Sequence, residues 1–170
     1  IIINLTIYKM KEITLVITSC NRCNLLKITF DSIIKTNKYP IKKYIIIDDS
    51  GLEGINDFIK NDYTDLNIQT LYNNPKLGQR KSIDKAYSLI DTEYIFHCEE
   101  DWEFYKEGYI EYSLKILENN NNILQCWLRE DNDTNGHPIE NQRFQVEDIY
   151  YRLMSLNYRG VWHGFTFNPT

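Results

Sequence analysis

The sequence is short of glycine, with 7 among 170 residues, and none lies in the turn after its first apolar run, "ITLVITSCNRCN". A dinucleotide fingerprint needs glycines there to let the backbone approach a pyrophosphate, so a nicotinamide or flavin dehydrogenase is disfavoured. The P-loop pattern is also missing, which removes the usual nucleotide hydrolases. Positive charge is not in excess: 19 Lys and Arg against 24 Asp and Glu give no field for nonspecific binding of DNA or RNA. No apolar run approaches the ~20 residues that cross a bilayer. The start, "IIINLTIYKM", lacks the basic region and cleavage site of a signal peptide. The expectation is a soluble, cytoplasmic protein with no nucleic-acid partner and no transmembrane segment. Cysteine is sparse too. Of Cys20, Cys23, Cys98 and Cys126 only the first two form a CxxC, and no second pair offers zinc spacing. Reduced thiols are expected, with a thioredoxin-like redox motif as the alternative.

What is present is a repeating strand and helix rhythm. Apolar, β-branched runs predict strands over Glu12–Thr18, Lys43–Gly51, Leu66–Asn74, Glu93–Cys98 and Ile123–Leu128. Between them, helical spacing predicts helices over Asn24–Thr36, with Leu25, Ile28, Ile33 and Ile34 inward, and over Ile55–Asn61. Gly78–Ile90 follows with Ile83, Ala86, Tyr87 and Ile90 inward, then Lys106–Glu118 with Ile110, Leu114 and Leu117 inward. This order predicts an α/β fold, a three-layer α/β/α sandwich with a mostly parallel central sheet, as one domain over residues 1–170. After Leu128 a polar loop, Arg129–Gln142, precedes a possible helix at Val146–Ser155 and a last aromatic strand at Tyr158–Phe167.

Ligands of open α/β sheets bind at the carboxyl ends of the strands. Those ends carry Thr18, Asn21 and Arg22, then Asp48 and Asp49, then Asn73–Gly78, then Glu99, Glu100 and Asp101. Two carboxylates about 4 Å apart repel by roughly 4 kcal/mol at an effective dielectric near 20, so the last cluster must splay into water or take a cation. A divalent metal held by Glu99 and Asp101, helped by Arg80 and Lys81 at the helix start near Gly78, would suit a nucleotide diphosphate. Both acidic pieces also make good turns, which is the alternative for Asp48 and Asp49 as well. His163 could complete a metal shell or simply pack within its aromatic strand. Trp102 lines the pocket or packs at its rim, and His97, inside a strand, is structural.

The pieces "LVITSCNR", "IIIDDSG", "NPKLGQRKSIDKA" and "FHCEEDW", in that order, resemble nucleotide-sugar glycosyltransferases of the GT-A fold, family-2 type. The resemblance covers Ile13–Asp101 well and the remainder loosely. It implies a nucleotide-sugar-binding half at 12–105 and an acceptor-side half at 106–170. Thr18, Asn21 and Arg22 would line the nucleotide pocket, one of Asp48 and Asp49 would meet the base, and Arg80 would lie near the diphosphate. "EED" would be the Asp-x-Asp-type motif, with Asp101 on Mn²⁺ or Mg²⁺, Glu99 facing the ribose or a metal-bound water, and Glu100 among the donor contacts. Glu at the first position departs from the usual pattern and lengthens the reach by one methylene. The implied activity is metal-dependent transfer from a UDP- or GDP-sugar to a saccharide or glycan hydroxyl with inversion, with Asp148 or Glu147 as general base. The alternatives are a sugar-1-phosphate nucleotidyltransferase, whose phosphate loop "TSCNRCN" lacks, and a non-catalytic or degenerate sugar-nucleotide-binding domain.

Overall fold

In the computed structural model the described residues are 10–130, 133–134 and 136–155, with the backbone alone of 167–169. The chain divides into two compact units, one of Ile1–Thr36 with Pro40–Tyr105, the other of Asn37–Tyr39 with Lys106–Thr170.

The first unit is a parallel sheet of β1 (Ile13–Ser19), β2 (Lys43–Asp48), β3 (Ile68–Tyr72) and β4 (Tyr94–Glu99), in the order β3-β2-β1-β4. Every residue of β1 is buried, as expected of a central strand covered on both faces, which is why it reads as a continuous apolar run rather than an alternating one. On one face Leu15, Ile17, Tyr44 and Ile46 pack against Leu26, Phe30 and Ile33 of α1 (Cys23–Thr36) and Ile59 of α2 (Asp57–Asp62). On the other, Val16, Ile45 and Ile47 pack against Ala86 of α3 (Gln79–Tyr87). Helices therefore cover both faces, giving three layers. Each fully buried Leu, Ile or Phe contributes about 1.5–3 kcal/mol. The chain runs outward from β1 to β2 and β3, then returns to pair β4 on the other side of β1, with Thr18 opposite Glu99. That reversal opens a crevice at the carboxyl ends of β1 and β4.

Two inward faces differ from expectation. On α1, Leu25 and Ile28 are 39% and 49% exposed, and the buried stripe is Leu26, Thr29, Phe30 and Ile33. The stripe keeps the i, i+3, i+4, i+7 spacing but includes a threonine, whose hydroxyl finds a partner inside. On α3, Tyr87 lies outward and its hydroxyl meets His97 Nδ1 at 2.8 Å.

The second unit holds α4 (Tyr109–Asn119) and an antiparallel sheet of β5 (Ile139–Val146), β6 (Ile149–Met154) and β7 (Phe167–Pro169), in that order. On α4, Ile110, Leu114 and Ile116 are buried and Leu117 packs partly. Residues 123–128, expected as a strand, have no regular structure. The helix expected at 146–155 is instead a hairpin: Val146 pairs with Ile149 across a turn at Glu147 and Asp148, with Glu147 left-handed at φ 52°. Phe144, Val146, Ile149 and Tyr151 share one core, which is the alternation of strands rather than a helical stripe. Of the expected last strand, only Phe167 falls among the described residues.

His97 connects the sheet to α3: beyond Tyr87, its Nε2 lies 3.5 Å from Thr18 Oγ1. Burial lowers its pKa from 6.5 to about 4. Between those values the unfolded chain binds more protons than the folded one, so His97 contributes stability that is complete above pH 6.5 and is lost as pH falls towards 4. Urea unfolding at pH 7 and pH 4.5 should show a smaller loss of stability for His97→Gln than for the wild type.

Candidate functional site

The turn after β4 is held by its backbone before its side chains are considered. The Glu100 N–H donates to the Thr18 carbonyl at 3.1 Å, so the exits of β1 and β4 are joined. From the buried stripe of α1, Thr29 Oγ1 donates to the Glu100 carbonyl at 2.6 Å, and Ser32 Oγ accepts the Phe104 N–H at 3.0 Å. The three acids then part. Glu100, its side chain 4% exposed, turns inward, where its Oε1 accepts from Arg22 Nε at 2.7 Å and from the Cys20 N–H at 3.1 Å. Asp101, 38% exposed, accepts from Arg22 Nη1 at 3.0 Å. Glu99 accepts from Gln79 Nε2, at the start of α3, at 2.7 Å. One guanidinium thus serves two carboxylates. Its pKa is raised, first by the hydrogen bond to Glu100 and then by that residue's charge, with Asp101 adding to both against desolvation.

Asp48 and Asp49 are tied internally. Asp48 is fully buried: its Oδ2 accepts from the Asn21 N–H and Asn56 Nδ2, both at 3.1 Å, and its Oδ1 from the Ser50 N–H at 2.8 Å. Asn21 adopts the left-handed region, at φ 58°, an excursion asparagine tolerates. Asp49 reaches the loop before α3, where its Oδ1 accepts from Leu77 N–H at 2.7 Å and Asn73 Nδ2 at 3.0 Å, and its Oδ2 from Gly78 N–H at 2.8 Å. Burial raises its pKa, but the hydrogen bonds from Leu77, Asn73, Gly78 and Ser82 outweigh it and the net shift is downward. The loop amides just before α3, at Leu77 and Gly78, therefore already hold a carboxylate. Gly78, at φ 84° and ψ 158°, occupies a region open essentially to glycine alone, with nothing within 4 Å of where a Cβ would sit, so the constraint there is backbone conformation.

The remaining residues take varied places. Thr18 is buried beneath the strand ends, while Asn21 and Arg22 line an open depression with Cys23, Asn24 and Leu25. Arg80 and Lys81, exposed in the first turn of α3, have no ion pair among the described residues. Trp102 packs its ring 6.1 Å from that of Phe104, at the edge of the core on the α1 side. Cys20 and Cys23 are unbridged: their thiols face the carbonyls of Asp49, at 3.7 Å, and Ile55, at 3.5 Å. In the second unit Glu147 is engaged by Lys115, and Asp148 is exposed in the same turn. His163 lies outside the described residues. Sequence reasoning placed Asn73 at a strand end but missed Thr29, Ser32, Gln79 and Asn56. The signal for the first two was available, as hydroxyls spaced on the apolar face of α1.

Among the described residues no group of three His, Cys, Asp or Glu could hold a metal unaided. Among the described residues, Asp101 Oδ1 and Glu99 Oε2 have no hydrogen-bond partner. That donor set fits a hard ion such as Mg²⁺ or Mn²⁺, which takes one or two carboxylates and draws its other ligands from phosphates and water. It does not make an all-protein cage.

Asn at position 49 keeps one acceptor oxygen but turns the other into an NH2 group facing a loop N–H, so Asp49→Asn should cost about 1–3 kcal/mol at pH 7 in urea unfolding. Because the folded pKa is lowered, the wild-type contribution is present above the ordinary carboxylate pKa and is lost as pH falls through the folded value; the difference between the two proteins should shrink by pH 3.

Comparison with known proteins bears on this geometry. A sequence search of curated proteins finds no match. Among solved structures, the mannosyltransferase PcManGT from Pyrobaculum calidifontis, in complex with GDP-Man and Mn²⁺, matches with a TM-score of 0.62 at 15% identity, over 72% of this chain and 37% of that one. TarS 1-349 of S. aureus in complex with UDP-GlcNAc matches with a TM-score of 0.58 at 12% identity, over 72% of this chain and 36% of that one. The chain thus spans little more than a third of those structures, which share its fold, and the expected GT-A class of sheet is met. The family described as Glycosyl transferase family 2 matches residues 14–168. By that match, which takes in both compact units, the chain belongs to glycosyl transferase family 2.

Proposed function

We propose that this chain carries the donor site of a metal-dependent glycosyltransferase that moves a sugar from a UDP- or GDP-sugar to an acceptor hydroxyl with inversion. The observation that carries the reading is the ion pair of Arg22 with Asp101 at the reversal of strand order, with Glu99 two residues before it, in a chain of this family. Similar structures contain GDP-Man with Mn²⁺, or UDP-GlcNAc, which supports a nucleotide-sugar donor.

Asp101 would hold the metal, with Glu99 on it or on the ribose. The ion, when bound, neutralises charge growing on the leaving diphosphate. Arg22 and the unpaired Arg80 and Lys81 would bind and orient the same diphosphate from the protein side. Asp48 and Asp49 act indirectly, by fixing the loops around the nucleotide pocket. For the acceptor proton, Asp148 is the stronger candidate of its pair, because Glu147 is already engaged by Lys115. No helix among the described residues is long and apolar enough to cross a membrane.

Thermal unfolding with Mn²⁺ and either UDP or GDP tests the site. The wild type should be stabilised by at least one nucleotide with metal, and Asp101→Asn should lose the metal-dependent part of that shift. Equal shifts in the two proteins, or none with either nucleotide, would exclude this donor site. Asp148→Asn should keep the nucleotide shift and lower sugar transfer by roughly 10²–10⁴-fold; unchanged transfer would remove Asp148 as the base.

A further inference from the structure

We infer that Arg22 is an internal counter-ion that occupies the metal's carboxylate in the metal-free protein and hands it over, pivoting on Glu100, so that divalent metal and nucleoside diphosphate bind as a coupled pair. The inference rests on the donor-site reading above and adds to it a positioning role for one side chain.

The two arms of Arg22 differ in strength. Its Nε meets Glu100, whose side chain is 4% exposed, at 2.7 Å, and the same carboxylate oxygen is fixed by the Cys20 N–H at 3.1 Å. Breaking that arm would leave a buried carboxylate without its cation, which is strongly unfavourable. The Nη1 arm meets Asp101 at 3.0 Å between side chains 46% and 38% exposed, and pairs of that kind are weak. A cation arriving at Asp101 therefore displaces the second arm and leaves the first in place. It also arrives beside a guanidinium, a like charge that penalises metal alone. A diphosphate removes that penalty, because the freed face of Arg22 and the metal both find oxygens on it. A nucleotide without metal gains less, since drawing Arg22 away then leaves the Asp101 carboxylate with no cation to replace it. Arginine suits the task because its planar fork spans two acids, which a lysine ammonium cannot do.

Isothermal titration of MnCl₂ into the protein, alone and with saturating UDP or GDP, tests this. The wild type should bind Mn²⁺ roughly tenfold more tightly with nucleotide than without. Arg22→Lys, which keeps a cation over Glu100 but loses the second arm, should bind Mn²⁺ alone roughly two- to fivefold more tightly than the wild type and lose most of the nucleotide-dependent gain. The double variant Arg22→Gln, Glu100→Gln, which removes the buried charge together with its partner, should behave in the same way. If Arg22 were merely structural, both variants would bind metal no more tightly than the wild type. That outcome, or retention of the full nucleotide gain, would overturn the inference while leaving an Asp101-dependent metal site intact. Failure of Asp101→Asn to change Mn²⁺ binding would instead overturn the donor-site reading and this inference with it.

Discussion

Glu100 is a carboxylate buried just past the edge strand β4, and the Arg22 guanidinium compensates its charge there. The contact at 2.7 Å joins residues far apart in sequence and brings the exits of β1 and β4 to one point. Much else depends on it. The Cys20 amide shares the same oxygen, which shapes the turn between β1 and α1; Glu100's own N–H bonds to Thr18, so side chain and backbone close the same junction twice. A buried ion pair is weak evidence of net stability, because desolvation offsets most of the attraction. What it supplies here is placement: with Glu100 turned inward, Asp101 faces outward beside the same guanidinium.

The neighbouring loops are shaped by the same device with different donors. Asp48 gathers Asn21, Ser50 and Asn56, and Asp49 gathers Asn73, Leu77 and Gly78, so two adjacent acids hold two loops through mostly backbone amides. Irregular segments at the carboxyl edge of a parallel sheet have many N–H groups with no ladder partner, and a carboxylate is a compact acceptor for several at once. The acids that look most alike in sequence therefore divide by duty. Asp48, Asp49 and Glu100 are turned inward to build the rim, whereas Glu99 and Asp101 remain at its surface.

This division explains what was and was not legible in the sequence. The parallel sheet was readable because β1 and β2 are buried on both faces and so appear as unbroken β-branched runs. The positions of the acids at strand ends followed from that. Which acid would be consumed internally was not readable, because it depends largely on amides in loops distant in sequence, such as Leu77 for Asp49. On α1, counting only apolar residues selected Leu25 and Ile28, while the buried stripe runs through Thr29, whose hydroxyl is satisfied by the Glu100 carbonyl. In "VEDIYYRLMS" the apolar residues fit a helix, but Val146, Ile149 and Tyr151 meet across a turn, and the register of Val146 against Ile149 places Glu147 and Asp148 at its tip. Short amphipathic runs carry both periods, and here pairing across the hairpin with the neighbouring strand decides between them.

Charge balance gives the proposed donor site a consistent logic. The β4 exit carries the acids Glu99, Glu100 and Asp101, two of them paired with Arg22, and the first turn of α3 adds the exposed cations Arg80 and Lys81, so this edge of the sheet is near neutrality. A divalent ion alone would make it strongly positive, and a diphosphate alone strongly negative. Both cost free energy in a crevice where screening is weaker than in bulk water. The two together would restore the balance, since the negative charges of the diphosphate offset those of the ion. A site built in this way does not need three protein ligands to select a metal. It needs a rigid backbone, which Thr29, Ser32 and Asp49 provide, and one carboxylate held ready by a partner that can let go.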